Sequence, residues 1–332
     1  MPRLDPAVAA VRRAVRIDLR EFGPGETVAV AYSGGTDSLA LLAATAWEGA
    51  RAGLDVVAVH VDHGLRADSD ADARRAVAVA AALGVRTDVR RVSVACAGVG
   101  LEAAARAGRY EALDAAAHDH GAVALLLGHT ADDQAESVLL GLARGAGARS
   151  LAGMPAGRGV YRRPLLSITR AQTARSCRVL GLTPLTDPSN EDQTLLRNRV
   201  RATVLPLLEK ELGPGVAAAL TRTARLLRAD ADLLDDLAAV AWERCRRSLP
   251  GADRAAVDVA AVAAEPAAVR SRILRRWLVA AGAPAGALTA QHVDGVDRLV
   301  TAWRGQRAVS LPGGLAAVRR SGMLAVEPAR PR

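Results

Sequence analysis

Residues 26–144 alternate two kinds of segment in a way that leaves few folds open. Short apolar, β-leaning runs stand at 26–32 (ETVAVAY), 54–61 (LDVVAVHV), 85–94 (VRTDVRRVSV) and 122–128 (AVALLLG). Stretches of helical composition lie between and after them, at 39–50, 68–83, 101–120 and 131–144. Strands that alternate with helices imply βα units and a mostly parallel sheet. Such sheets bind ligands beyond the carboxyl ends of their strands. The loops SGGTDS, DHGLR and GHTADD all fall at strand ends, so they are expected to converge on one face.

The pattern changes after about residue 145. Residues 145–165 are rich in Gly, Arg and Pro and read as loop, and 169–180 and 194–210 read as helices around the turn cluster TDPSNEDQ. EKELGPGV at 209–216 marks a boundary, so domains are expected at 1–212 and 213–332, the first including a basic segment at 145–210. The second should be smaller and mainly helical α+β. Its helices are expected at 216–247 (one or two), 266–281 and 288–303, and its short strands around the late Pro-Gly-Gly and Ser-Gly turns. A length of 332 residues suits two domains. No apolar run reaches about 18 residues, against an ordinary transmembrane helix. The opening stretch lacks an apolar h-region, so no signal peptide is read.

The formal charge is +9, but its distribution says more. Residues 1–140 hold 14 Arg against 19 acidic side chains, 141–210 hold 11 Arg and one Lys against 4, and 211–332 hold 18 Arg against 12. An acidic head joined to a basic remainder suggests a small-molecule site beside a polyanion-binding surface. A solvated basic surface without a partner is the alternative. Aromatic residues make up 2% of the chain, which argues against a stacking platform for single-stranded RNA. Cys96, Cys177 and Cys245 form no CxxC, zinc pattern or disulfide framework. A reducing, cytoplasmic setting fits them.

Ser33-Gly34-Gly35-Thr36-Asp37-Ser38 is the strongest local signal. Adjacent glycines let backbone turn tightly and approach an anion. Amides at the following helix start can then hold phosphate, and Ser33, Thr36 and Ser38 can add hydroxyl donors. Asp37 would repel phosphate unless Mg²⁺ bridges the two. Neither GxxxxGK[ST] nor GxGxxG is present. A generic strand-to-helix turn is the alternative.

The hexapeptide resembles the SGGxDS signature of the PP-loop ATP pyrophosphatase superfamily, whose fold is adenine nucleotide alpha hydrolase-like. Further stretches narrow the resemblance: His60–Arg66, Glu102–Tyr110 with Arg106 and Arg109, Gly128–Ser137, Arg163-Pro164-Leu165-Leu166, Asp187–Asn190 and Arg197–Arg201. In this order they are similar to the tRNA(Ile)-lysidine synthase family, with specific motifs over about residues 25–210. The resemblance implies ATP cleaved between its α and β phosphates, Mg²⁺ at Asp37, and L-lysine ligated to the wobble cytidine of the CAU anticodon of tRNA(Ile). It implies no membrane partner and leaves a homodimer open.

Asp133 and Glu136 lie three apart at a helix start and share a face, so they can bind or deprotonate an ammonium group. The family associates this pair with lysine, and Asp133 is the expected base. Alternatively, both acids merely favour the positive end of the helix. His60, Gly128 and His129 are expected at the nucleotide, although His is also a common local hydrogen-bonding residue. Arg106 and Arg109 can neutralise charge on an adenylate or a nearby RNA phosphate, or form a solvated face. Arg163, Arg197, Arg199 and Arg201 can position RNA through its phosphates, and Asn198 can tie the loop at 187–190. Two rivals remain: another PP-loop tRNA-modifying enzyme such as a thiolase, although no CxxC pair is present, and a non-catalytic ATP-binding regulator.

Overall fold

A computed structural model describes residues 4–62, 69–92, 101–185, 192–247 and 256–329, without the side chains of 101–103. Residues up to Arg228 form one compact unit and those from Ala229 another.

The first unit opens with helix α1 (Pro6–Leu19), for which pattern reading gives no expectation. Its start signal is nevertheless present: Pro6 takes the first helical position and the Asp5 carboxylate accepts from the Ala7 amide at 2.8 Å. Val8, Val11, Val15 and Leu19 recur every three to four residues and are all buried. Then follow β1 (Thr27–Ala31), α2 (Thr36–Ala52), β2 (Asp55–Asp62), α3 (Ser69–Ala82), β3 (Arg86–Arg91), α4 (Leu101–Asp119), β4 (Ala124–Leu126) and α5 (Ala131–Ala143). All match the expected elements. The expected third strand runs on past Arg91 into residues 93–100, which lie outside the described residues.

Residues 145–165 are not plain loop. They hold the short helix α6 (Ala148–Leu151) and the strands β5 (Gly157–Arg158) and β6 (Tyr161–Arg162). Two-residue strands are too short to show a period of two. After a 3₁₀ turn at Pro164–Ser167 come α7 (Arg170–Val179), α8 (Leu196–Arg199), a π turn at Val200–Val204, α9 (Leu205–Glu211) and α10 (Val216–Cys245).

The sheet order is β3-β2-β1-β4-β6-β5, parallel except for β5. The chain steps outward from β1 to β3, then returns to the other side of β1 for β4. Val28 thus pairs with Val56 of β2 on one side and Ala124 of β4 on the other. The crevice beyond the carboxyl ends of β1 and β4 is therefore the topological switch point. Val28 and Val30 face a core of Leu39, Leu42 and Leu126, whereas Ala29 faces Val57, Leu113 and Leu125. Buried on both faces, β1 reads as a continuous apolar run.

The unit boundary lies inside α10, beyond the glycine-proline turn expected to mark it at 212/213. That turn does separate α9 from α10. However, Ala217 and Leu220 of α10 pack on the small core of Ala135, Val200 and Leu205, and the Thr221 hydroxyl donates to the Ala131 carbonyl at 3.1 Å. The first turns of α10 therefore stay with the sheet domain.

The second unit adds β7 (Arg246–Arg247), β8 (Ala256–Asp258), α11 (Val259–Ala263), α12 (Ala267–Ala280), α13 (Ala290–Thr301), β9 (Val309–Leu311), β10 (Leu315–Arg320) and β11 (Met323–Pro328). Its antiparallel sheet runs β7-β8-β11-β10-β9. Ile273, Leu274, Trp277, Val296, Ala317 and Leu324 form its core. Ser321 and Gly322 join β10 to β11 with φ of 47° and 78°. Positive φ at both positions matches the right-handed twist of the strands it joins.

Candidate active site

The phosphate loop is built almost entirely from its own backbone. It leaves β1 at the switch point, and Gly35 caps α2 in extended conformation. The first amides of α2 thus have no carbonyl partner within the helix and can donate to an anion. The Ser38 hydroxyl donates to the Gly35 carbonyl at 2.9 Å and lies 3.1 Å from the Ser33 hydroxyl, which closes the turn on itself. Gly34 has φ +87°, and a Cβ there would stand 2.5 Å from Leu185 Cδ1. The Leu185 amide donates to the Gly34 carbonyl at 2.9 Å, so the chain entering residues 186–191 is fastened across the loop. Asp187–Asn190 themselves lie outside the described residues.

Gly128 brings the end of β4 against this turn. A Cβ on it would lie 3.1 Å from both Cα and N of Ser38. The glycine therefore serves close approach of two backbones. His60, at the end of β2, is buried and donates from Nδ1 to the Tyr32 carbonyl at 2.9 Å, holding the last residue before the loop. Asp62, the last residue of β2, is buried, and residues 63–66 of DHGLR lie outside the described residues.

Asp37 accepts a hydrogen bond from the Thr173 hydroxyl, and its Oδ2 lies 3.5 Å from Arg170 Nε. Burial pushes its carboxyl up, against the pull of Thr173 and Arg170. Among the described residues no three metal-ligating side chains gather into a cage. One carboxylate beside a phosphate loop fits Mg²⁺, which binds through one or two carboxylates plus substrate phosphates.

Asp133 and Glu136 do share a face of α5, and four segments meet on them. Asp133 Oδ2 accepts from the Thr130 amide at 2.8 Å and its hydroxyl at 2.9 Å, capping the helix. Asp133 Oδ1 accepts from Arg170 at 3.1 Å and Arg201 at 3.3 Å. Glu136 is 0% exposed and takes three guanidiniums: Arg170 at 3.2 Å, Arg197 at 2.9 Å and Arg201 at 2.7 Å. Burial raises the Asp133 carboxyl, but the Thr130 amide and Arg170 outweigh it and hold the group below the usual carboxylate range. Asp132 accepts from the Arg170 backbone amide at 2.7 Å.

The structure thus joins two sets of residues that the sequence assigns to different ligands. Arg197 and Arg201, read as RNA contacts, lie on the acid pair, whereas Arg199 between them is exposed. Asn198 ties the Asp192 carbonyl at 2.9 Å. Arg163 donates to the Pro155 carbonyl at 3.1 Å. On α4, Arg106 and Arg109 lie 5.4 and 5.6 Å from the Tyr110 ring centroid, within cation–π range. Arg106 is exposed, and burial pulls the Arg109 guanidinium down. No described residue pairs with the buried His129 Nδ1. Burial first, with Arg163, Arg109 and Arg197 nearby, pulls its imidazole down to about 4, so it is neutral near pH 7.

Sequence reasoning missed Arg170, Thr173 and Leu185. Thr169 and Gln172 form a capping box, a readable start for α7. Nothing in the pattern marks the arginine just inside that cap.

A parallel sheet with a glycine turn and helix N-terminus at its switch point defines a PP-loop ATP-binding protein. A family profile described as the PP-loop domain matches residues 11–208, and one described as the TilS substrate binding domain matches 258–324. The chain belongs to the tRNA(Ile)-lysidine synthase family. The tRNA(Ile)-lysidine synthase of Thermobifida fusca is 50% identical over 322 residues, 97% of this chain and 98% of that protein. That of Salinispora arenicola is 50% identical over 334 residues, 98% of each chain. Among solved structures, the U34-tRNA thiolase NcsA from Methanococcus maripaludis covers 68% of this chain and 80% of its own, with a TM-score of 0.57 and 19% identity. That likeness is one of fold. No helix among the described residues is long and apolar enough to cross a membrane.

Proposed function

We propose that the protein ligates L-lysine to C2 of the wobble cytidine in the CAU anticodon of tRNA(Ile), using ATP through an adenylated base. The cytidine C2 oxygen attacks the α-phosphate and pyrophosphate leaves. The lysine amine then attacks C2, and AMP carries that oxygen away. A carbonyl oxygen is a poor leaving group, and AMP is a good one.

One observation carries this reading. The phosphate loop and a buried acid pair lie in one crevice, close enough for a single guanidinium to reach Asp37, Asp133 and Glu136. An enzyme that only split ATP would have no use for an acid pair there. Amides of the loop and the α2 N-terminus bind the polyphosphate and stabilise charge on the departing pyrophosphate. Asp37 would hold Mg²⁺, which supplies further charge neutralisation at the phosphates. Asp133 and Glu136 hold and orient the lysine ammonium. The lowered Asp133 carboxyl makes a weak base, so the reading moves it from base to clamp. Arg106 and Arg109 face the adenylate or RNA phosphate. Arg199 and Arg163 are the RNA-facing members of the basic segment, together with the C-terminal domain, while Arg197 and Arg201 set the charge of the clamp. The setting is the cytoplasm, supported by the well-separated cysteines; Cys177 and Cys245 are buried free thiols.

The test is mass analysis of nucleosides from tRNA(Ile) transcript incubated with enzyme, ATP and lysine. Lysidine is expected only when all three are present, with pyrophosphate released. A product that needs a sulfur donor would identify a thiolase, and nucleotide held without turnover would identify a regulator.

A further inference from the structure

Arg170 touches both halves of the site. Its Nε lies 3.5 Å from Asp37 in the phosphate loop. Its Nη2 lies 3.1 Å from Asp133 and 3.2 Å from Glu136. Its backbone amide is fastened to Asp132 at 2.7 Å, so the start of α7 is pinned to α5 whatever the side chain does. Arg197 and Arg201 reach the acid pair too, but neither has a described contact with the loop.

As it stands, the acid pair takes an ammonium only in competition with cations already bound to it. Asp133 and Glu136 already face three guanidiniums, one of which they share with Asp37. Arg170 donates to Asp133 Oδ1 and Glu136 Oε1, the same two oxygens that Arg201 bonds at 3.3 and 2.7 Å, so each already accepts from two guanidiniums, and an ammonium bridging the two acids needs one of those places. Arg170 and the substrate amine therefore compete. Arg197 can keep Glu136 Oε2 throughout that competition. Polyphosphate in the adjacent loop is a stronger partner for a guanidinium than a single carboxylate, since it offers several anionic oxygens in fork geometry.

Resting on the lysine-ligase reading above, we infer that Arg170 is a positioning residue through which nucleotide binding is coupled to amine binding. Phosphates in the loop draw its guanidinium toward Asp37 and free one acceptor place on Asp133 Oδ1 and one on Glu136 Oε1, while Arg201 keeps the other. The amine then binds a clamp that has lost one competing cation. Linkage makes the effect reciprocal: lysine tightens nucleotide by the same factor.

Calorimetric titration of the full chain tests this. L-Lysine is titrated with and without α,β-methylene-ATP and magnesium, and the analogue is titrated with and without lysine. In the wild type the analogue is expected to tighten lysine binding by about fivefold or more, with an equal reciprocal factor. In Arg170→Ala, lysine should bind more tightly than wild type in the absence of nucleotide, and the coupling factor should fall toward one. Arg170→Lys keeps the charge but loses the fork, and should show an intermediate factor. It carries the test if thermal melting shows the alanine variant to be unfolded. A wild-type coupling factor in Arg170→Ala, or weaker nucleotide-free lysine binding there, would overturn the inference and leave Arg170 a brace. Wild-type lysine affinity unchanged by the analogue would overturn it while lysidine formation still stands. A wild type that binds no lysine and makes no lysidine overturns the ligase reading along with it.

Discussion

The phosphate loop and the acid pair follow neighbouring strands of one sheet, yet they are built in opposite ways. The loop is local. Gly34, Gly35 and Ser38 shape it, its donors are backbone amides, and its internal bonds span five residues or fewer. The acid pair depends on distant chain: Arg170, Arg197 and Arg201 reach it from 34 to 68 residues away. A site held by backbone keeps its shape when a side chain is lost. A buried carboxylate held by guanidiniums cannot, because each partner removed leaves a charge uncompensated.

Asp37→Ala should give the largest effect, and on activity alone. Pyrophosphate release should fall by about 10³-fold, roughly 4 kcal/mol of transition-state stabilisation. Its chemical-denaturation midpoint should barely move, since Thr173 still bonds the Arg170 carbonyl at 2.8 Å and Arg170 keeps the acid pair. Glu136→Ala should instead cost about 3 kcal/mol of unfolding free energy, leaving three guanidiniums short of a counter-charge. If the two variants lose stability equally, the contrast between backbone-held and charge-held halves is wrong.

His129 sharpens the comparison through pH. Its folded value of about 4 lies below the ordinary 6.5, so the unfolded chain takes up the proton first as pH falls. Stability from this group is complete above pH 6.5 and is lost between 6.5 and about 4, by roughly 3 kcal/mol. His129→Gln should flatten that part of the curve in urea titrations at stepped pH. A wild-type slope in the variant would assign the loss elsewhere. Asp133, held low, loses its contribution at more acid pH, below the ordinary carboxylate value.

The smallest effect is expected at Arg199. Charge reversal there should weaken tRNA binding severalfold and reduce the salt dependence by about one phosphate contact, with no change in melting temperature. Arg197→Gln should do the reverse, lowering stability more than the salt slope. Filter binding across a salt series separates the two.

The β1–α5 alternation was legible because each strand is a continuous buried run and each helix starts at a polar loop. Asp133 and Glu136 were legible as a pair because three-residue spacing fixes a common helix face. Their partners were not. Arg197, Arg199 and Arg201 are alike in composition, and only the helix phase and π turn at 197–204 send the first and third inward. The β5–β6 hairpin was too short to leave a pattern, and the unit boundary moved because α10 is bonded at one end to the sheet domain.

By itself the sequence determined a parallel sheet, the place of its phosphate loop and the family to which the motifs belong. These are carried by the alternation of strand and helix patterns and by local motifs, which spacing records. The tertiary structure alone decided which arginines neutralise the acid pair, that Arg170 bridges it to Asp37, and that Leu185 crosses Gly34. Charge pairing at long range carries no period along the chain. It is settled only when the sheet brings separate segments within hydrogen-bond distance.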